Sequence, residues 1–113
     1  MISSLRGEVT AVTLSSAVIE TGGVGLVFNA TPNTLSTLQV GAQAKVYTYL
    51  VVKEDALTLY GFATTDERDT FATLMGAKGV GAKLALAMLA VHTPDALRQA
   101  IAAKDTAALT RVP

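Results

Sequence analysis

Residues 64–91 read TTDERDTFATLMGAKGVGAKLALAMLAV, and the change of period at their start decides the fold. Up to about Ala63 the chain has the residue pattern of strands; from Thr64 apolar residues recur about every 3.6, so helix replaces strand here. Thr64 and Glu67 stand at capping-box spacing with Asp66 in the same turn, which neutralises the positive end of the first helix. Phe71, Leu74 and Met75 form its apolar stripe, and Gly76 ends it. The segment Gly76-Ala77-Lys78-Gly79-Val80-Gly81 then turns the chain into a second helix from about Ala82, with Leu84, Met88 and Val91 expected on one side.

Downstream, Thr93-Pro94 caps a further helix whose apolar face carries Leu97 and Ile101, and Asp105 is expected to begin a short last helix carrying Leu109. Upstream, Ile2 to Leu14, Ala17 to Glu20, Val24 to Ala30, Ala44 to Val52 and Leu57 to Phe62 are rich in Val, Thr, Leu, Tyr and Phe. Ser15-Ser16 and Thr21-Gly22-Gly23 supply hairpin chemistry, and Lys53-Glu54-Asp55-Ala56 is a polar break. Thr31-Pro32 reads as an N-cap and first helical position, with Leu35 and Leu38 on one face. Five short strands interrupted by one helical turn suit a closed barrel better than an open sheet with bare edges. The expected class is therefore α+β. A five-stranded OB-fold β-barrel over residues 1–63 precedes an all-α helix-hairpin-helix unit over residues 64–113.

Of 113 residues 50% are hydrophobic and 16% charged, enough to bury a core and too apolar for a disordered tail. There is no cysteine, no secretory leader pattern, and no apolar run approaching the roughly 20 residues that cross a bilayer, so a cytoplasmic protein is the default. The net charge of zero argues at first against a polyanionic ligand, but it averages two unlike halves. Met1 to Asp69 carries 4 bases against 7 acids; Thr70 to Pro113 carries 5 bases against 2 acids. Thr70 to Pro94 contains no acid at all.

The sharpest feature is Gly79-Val80-Gly81 between two amphipathic helices, followed by Lys83. Alone, Gly-Val-Gly does no more than permit a tight turn. Here the bare glycines let an anion approach the backbone, and the following helix aims its unpaired N–H groups at the same point. Lys78, Gly79, Val80, Gly81 and Lys83 are thus the candidate phosphate-binding residues, Val80 anchoring the turn and Lys83 adding a point charge. Such contacts reach the sugar-phosphate backbone and recognise shape without sequence. Glu54 and Asp55 are ordinarily turn formers; around a symmetry axis, several copies would make them a negative pin that repels phosphate. Tyr47, Tyr49 and Tyr60 are read as strand packing, since no basic groove accompanies them, and Arg98, Lys104 and Arg111 as solvated faces. His92 is the single histidine, so no metal site, cofactor or catalytic pair is indicated.

Leu5-Arg6-Gly7, Gly22-Gly23-Val24-Gly25, Lys53-Glu54-Asp55-Ala56, Leu59-Tyr60-Gly61-Phe62 and Gly79-Val80-Gly81-Ala82-Lys83-Leu84-Ala85 occur in the order found in the RuvA family, which the whole chain resembles. That resemblance implies binding of four-way Holliday junction DNA by a homotetramer, or an octamer, acting in recombinational repair. It implies recruitment of the motor RuvB, whose ATP hydrolysis drives branch migration, with the resolvase RuvC as a further partner and no membrane association. Glu54 and Asp55 match the family's acidic pin; Gly79, Gly81 and Lys83 match its first phosphate-binding hairpin. In the family, the stretch resembling Leu109 to Pro113 leads into a second glycine hairpin and a RuvB-contacting domain. The chain is accordingly expected to be an N-terminal part that binds junctions more weakly than the whole and does not recruit the motor. Two other readings stand beside this one: a generic helix-hairpin-helix DNA-binding module, and a homo-oligomeric structural module. A nucleotide-binding enzyme is disfavoured, because no Gly-x-x-x-x-Gly-Lys-Ser/Thr loop is present and the hairpin follows a helix.

Overall fold

A computed structural model describes residues 1–103; the helix expected from Asp105 with Leu109, and the residues Lys104 and Arg111, lie outside the described residues. Five strands, β1 (Ser4–Val12), β2 (Ser16–Thr21), β3 (Val24–Asn29), β4 (Gln43–Lys53) and β5 (Ala56–Phe62), close into a barrel in the order β1-β2-β3-β5-β4. All neighbours are antiparallel except β3 and β5, which run parallel and share a single rung, Asn29 with Tyr60. Helix α1 (Pro32–Leu35) links β3 to β4 and starts as its sequence requires: the Thr31 hydroxyl accepts from the Thr34 amide, and proline takes the first turn. Leu35 is buried and Leu38 packs beside it in the barrel core, with Leu5, Val9, Ile19, Phe28 and Val46.

Helices α2 (Thr65–Met75), α3 (Ala82–Val91) and α4 (Pro94–Ala102) follow. The Thr64 hydroxyl accepts from the Glu67 amide at 3.1 Å and meets the Glu67 carboxylate at 3.2 Å. The helices do not stand apart from the barrel. Phe71, with no exposed surface, packs its ring 5.5 Å from Tyr49, 5.0 Å from Tyr60 and 5.0 Å from Phe62, and this aromatic cluster continues into Leu74, Ala85, Met88, Leu89 and Leu97. One core therefore spans the outer face of β4 and β5 and all three helices.

Three details differ from expectation. The buried side of α3 is Ala85, Met88 and Leu89; Leu84 is half-buried and Val91 is 49% exposed, because a helix apolar on nearly every side leaves no stripe to read. Gly76 ends α2 as expected, in right-handed geometry, and the left-handed residue comes three positions later at Gly79. Arg98 is not a bare solvated side chain: its guanidinium donates to Asp66 at 2.6 Å, to Thr70 at 3.2 Å and to Asp95, fastening α4 to α2. Hydrogen bonds with Asp66 first, then Asp95, hold its pKa above the ordinary value. Tyr47 has basic company, with the Lys45 ammonium 5.2 Å and the Arg68 guanidinium 5.8 Å from its ring centre.

Replacing Phe71 with alanine empties the point where barrel and helices meet and should cost about 3–5 kcal/mol in urea unfolding. Helix loss by circular dichroism and barrel loss by tyrosine fluorescence should coincide in the native chain; separate midpoints would disprove a shared core.

Candidate functional site

The turn between α2 and α3 is built from three short hydrogen bonds, Gly76 N–H to the Thr73 carbonyl, Ala77 N–H to Leu74 and Val80 N–H to Ala77, at 3.1, 3.0 and 3.2 Å. Val80 is half-buried and packs on the helical core, so it anchors the turn from inside. Gly79 has a φ of +80°, where a side chain is strained, and faces open space. Gly81, at the N-cap of α3, has a φ of −95° that any residue adopts, and a methyl built on it would meet nothing within 4 Å. Neither backbone nor packing demands glycine at that position. Its lack of a side chain leaves the space in front of it open.

That space is lined with donors. Among the described residues no acceptor meets the N–H groups of Gly79, Gly81, Ala82, Lys83 and Leu84. The other helices close their own starts, since Thr31, Thr64 and Thr93 each accept from an amide in the first turn. Asp66, Glu67 and Asp95 add negative charge to the starts of α2 and α4, whereas α3 has neither a hydroxyl cap nor an acid in its first turn. Its partial positive charge, about half an elementary charge, is left to solvent or to an anion. Lys78 and Lys83 are exposed beside it.

The α3 start opens on a cleft of about 520 Å³ whose one wall is Gly81, Ala82, Lys83 and Leu84 and whose other wall is Asn29, Lys53, Thr58 and Tyr60 of the barrel. A neighbouring hollow of about 260 Å³ shares Asn29, Tyr60 and Lys83 and continues toward Ser15 and Leu86. Lys53, Asn29 and Thr58 were not among the sequence candidates. A signal for Lys53 exists in the strand period: Tyr49 and Val51 face the helices, so Lys53, two residues on, faces them too. The residues that bring two lysines, one from each part of the chain, to one cleft are thus partly legible.

Glu54 and Asp55 form the two-residue tip between β4 and β5, with Lys53 paired to Ala56 below them. Both acids are exposed, and neither lines the cleft. Beneath the tip, Val52 pairs with Leu57, and these apolar residues are 62% and 72% exposed. Tyr49 and Tyr60 are spent on Phe71, which removes them as stacking platforms.

The family model described as the RuvA N terminal domain matches residues 1–61. Among curated relatives, the Holliday junction branch migration complex subunit RuvA of Thermobifida fusca is 61% identical across the whole of this chain, which spans 56% of that protein. The subunits of the same description from Streptomyces coelicolor and Mycobacterium avium are 59% and 58% identical over the whole chain, which spans 56% and 57% of them. The chain thus spans a little over half the length of these relatives.

The hairpin geometry has a stability consequence. Gly79→Ala should cost about 1–2 kcal/mol, because the left-handed conformation burdens a side chain. Gly79→Asn should recover part of that loss, since asparagine tolerates this region. Equal losses by chemical denaturation would show that φ is not what glycine supplies there.

Proposed function

The chain belongs to the RuvA family, and from that premise we propose that it recognises the shape of four-way junction DNA as part of a branch migration complex, without catalysis of its own. The observation that carries this is the set of unpartnered amides at Gly79 and from Gly81 to Leu84, opening on a cleft that also holds Lys53 and Lys83. Backbone amides cannot distinguish bases, and a sugar-phosphate oxygen is the acceptor common to every DNA arm. The amide nest supplies positive potential without net positive charge, which reconciles a formal charge of zero with a polyanionic ligand. A phosphate seated at Gly79, Gly81 and Lys83 lies beside the barrel's Lys53, so one backbone can be held from both walls.

In this reading residues 1–63 assemble and residues 64–113 grip. Copies meet around an axis with Glu54 and Asp55 at the centre, and the exposed Val52 and Leu57 form an apolar collar that contacts the neighbouring copy. Acids gathered on the axis repel phosphates and steer the strands into separate arms. The motor RuvB and the resolvase RuvC are partners of the assembled complex.

Competition between a four-way junction and linear duplex of equal length tests the reading. The junction should win by at least about tenfold, and parity would reduce the chain to a generic DNA-binding module. Lys83→Gln and Lys53→Gln should each weaken binding and lower the log-log salt slope by about 1. Gly81→Ala should weaken it too, at a stability cost of no more than about 1 kcal/mol. For assembly, Val52→Asp with Leu57→Asp should reduce the mass in solution to that of a monomer. An unchanged mass would remove the collar.

A further inference from the structure

One side chain in the cleft has its ring accounted for and its polar end left over. Tyr60 is 5% exposed, and its ring is held 5.0 Å from that of Phe71. Phenylalanine would fill that place as well, and a buried tyrosine ordinarily spends its hydroxyl on a partner. Among the described residues the Tyr60 hydroxyl makes no hydrogen bond, yet it is not sealed in the core, where the one side-chain polar atom without a partner is Nε2 of His92. Tyr60 lines both the cleft and the hollow beside it, so its polar end opens into that space. The single rung between β3 and β5 joins Asn29 to Tyr60, and residues paired across a ladder project to the same face. The Asn29 carboxamide therefore stands beside the Tyr60 hydroxyl, half-buried and likewise without a hydrogen bond among the described residues.

We propose that the Tyr60 hydroxyl and the Asn29 carboxamide form an uncharged subsite for a second backbone phosphate, on the barrel wall of the cleft that faces the start of α3. The proposal deepens the DNA-binding reading and rests on it. Both groups can donate, the phenol one proton and the carboxamide two. Lys53 on the same wall and Lys83 on the other set the sign of the ligand, so the acceptor is anionic. The cleft and the hollow share Asn29, Tyr60 and Lys83 and make one elongated groove toward Ser15, which suits a chain better than a single ion. Neutral polar groups are particular to this seam. Across β1 the outer positions face each other in charged rungs, Arg6 opposite Lys45 on β4 and Glu8 opposite Glu20 on β2. Contacts to phosphate fix the register and orientation of a bound strand. A strand held only by the hairpin amides can pivot; held also at Asn29 and Tyr60, it leaves the cleft in one direction.

Neutral donors leave a signature that lysines do not. A lysine on a phosphate releases counterions, so losing it lowers both affinity and the log-log salt slope, whereas a hydroxyl or carboxamide releases none. In titrations of four-way junction DNA with the 113-residue chain, Tyr60→Phe should weaken binding about threefold to tenfold and leave the slope as it was. Asn29→Ala should do the same. Asn29→Asp, of nearly native shape, sets a carboxylate against the phosphate and should bind at least about tenfold more weakly than Asn29→Ala at low salt. Circular dichroism melts establish that each variant is folded; should Tyr60→Phe unfold, the order of the two Asn29 variants carries the test, because charge and not packing separates them. Native affinity in Tyr60→Phe, or Asn29→Asp binding no worse than Asn29→Ala, would overturn the subsite alone if Lys83→Gln still weakens binding. A native chain that shifts no DNA at low salt would overturn the subsite and the DNA-binding reading together.

Discussion

Everything downstream of residue 63 is oriented by one buried ring. Phe71 sits on Tyr49, Tyr60 and Phe62, and because those three project from neighbouring positions on β4 and β5, the ring has only one seat. Full burial of a phenylalanine contributes about 1.5–3 kcal/mol by transfer alone. Its geometric effect matters more. Helix α2 is held flat on the barrel, Arg68 reaches the Ser3 carbonyl at 2.9 Å, and the turn that follows delivers α3 with its start against Asn29, Lys53 and Thr58. A flexible tether between barrel and hairpin would have left the glycine amides and Lys53 without a fixed separation. The shared core turns two weak electropositive features into one cleft.

The contrast between helix starts explains how such a cleft can exist in an uncharged chain. Capping with a threonine hydroxyl is worth about 1 kcal/mol, and the chain takes that gain at α1, α2 and α4. At α3 it forgoes the gain: glycine replaces the capping residue, lysine occupies the first turn, and no acid stands in that turn. A start optimised for the free protein would carry serine or aspartate. The missing hydroxyl is intelligible as space for an oxygen that arrives with a ligand, and the same substitution would fill that space and satisfy the amides internally.

Much of this was legible in the residues, for identifiable reasons. Strand alternation, the Thr31-Pro32, Thr64 and Thr93-Pro94 caps and the glycine turn are local signals, and each appears where local physics puts it. What was hidden is whatever depends on the third dimension. Arg98 looked solvent-bound because its partners Asp66 and Thr70 lie about thirty residues earlier in the chain. Tyr47 looked bare because Arg68 joins it from another element. The face of α3 was misjudged for the opposite reason: Ala82 to Val91 is so uniformly apolar that only the neighbours, not the period, select which side is buried. Lys53 fell between the two cases, since alternation along β4 points it at the helices but its acidic neighbours suggested a plain solvated turn.

The barrel divides its surface in a way that follows from closure. A closed five-stranded ring must show an outer face on every strand, and here that face changes character around the circumference. Along β4 and β5 it is aromatic and covered by helices; at the seam with β3 it is a polar cleft; across β1 it is charged in opposed rungs. The protruding end of the β4–β5 hairpin adds a fourth surface, with apolar residues below an acidic tip. Since alternation fixes which residues face out, none of these surfaces can move to the other side of its strand without inverting the core beneath it. The barrel therefore does more than carry the hairpin: its register fixes where the amide-lined cleft, the acidic tip and the charged rungs stand relative to one another, and the proposed grip on a junction depends on that fixed arrangement.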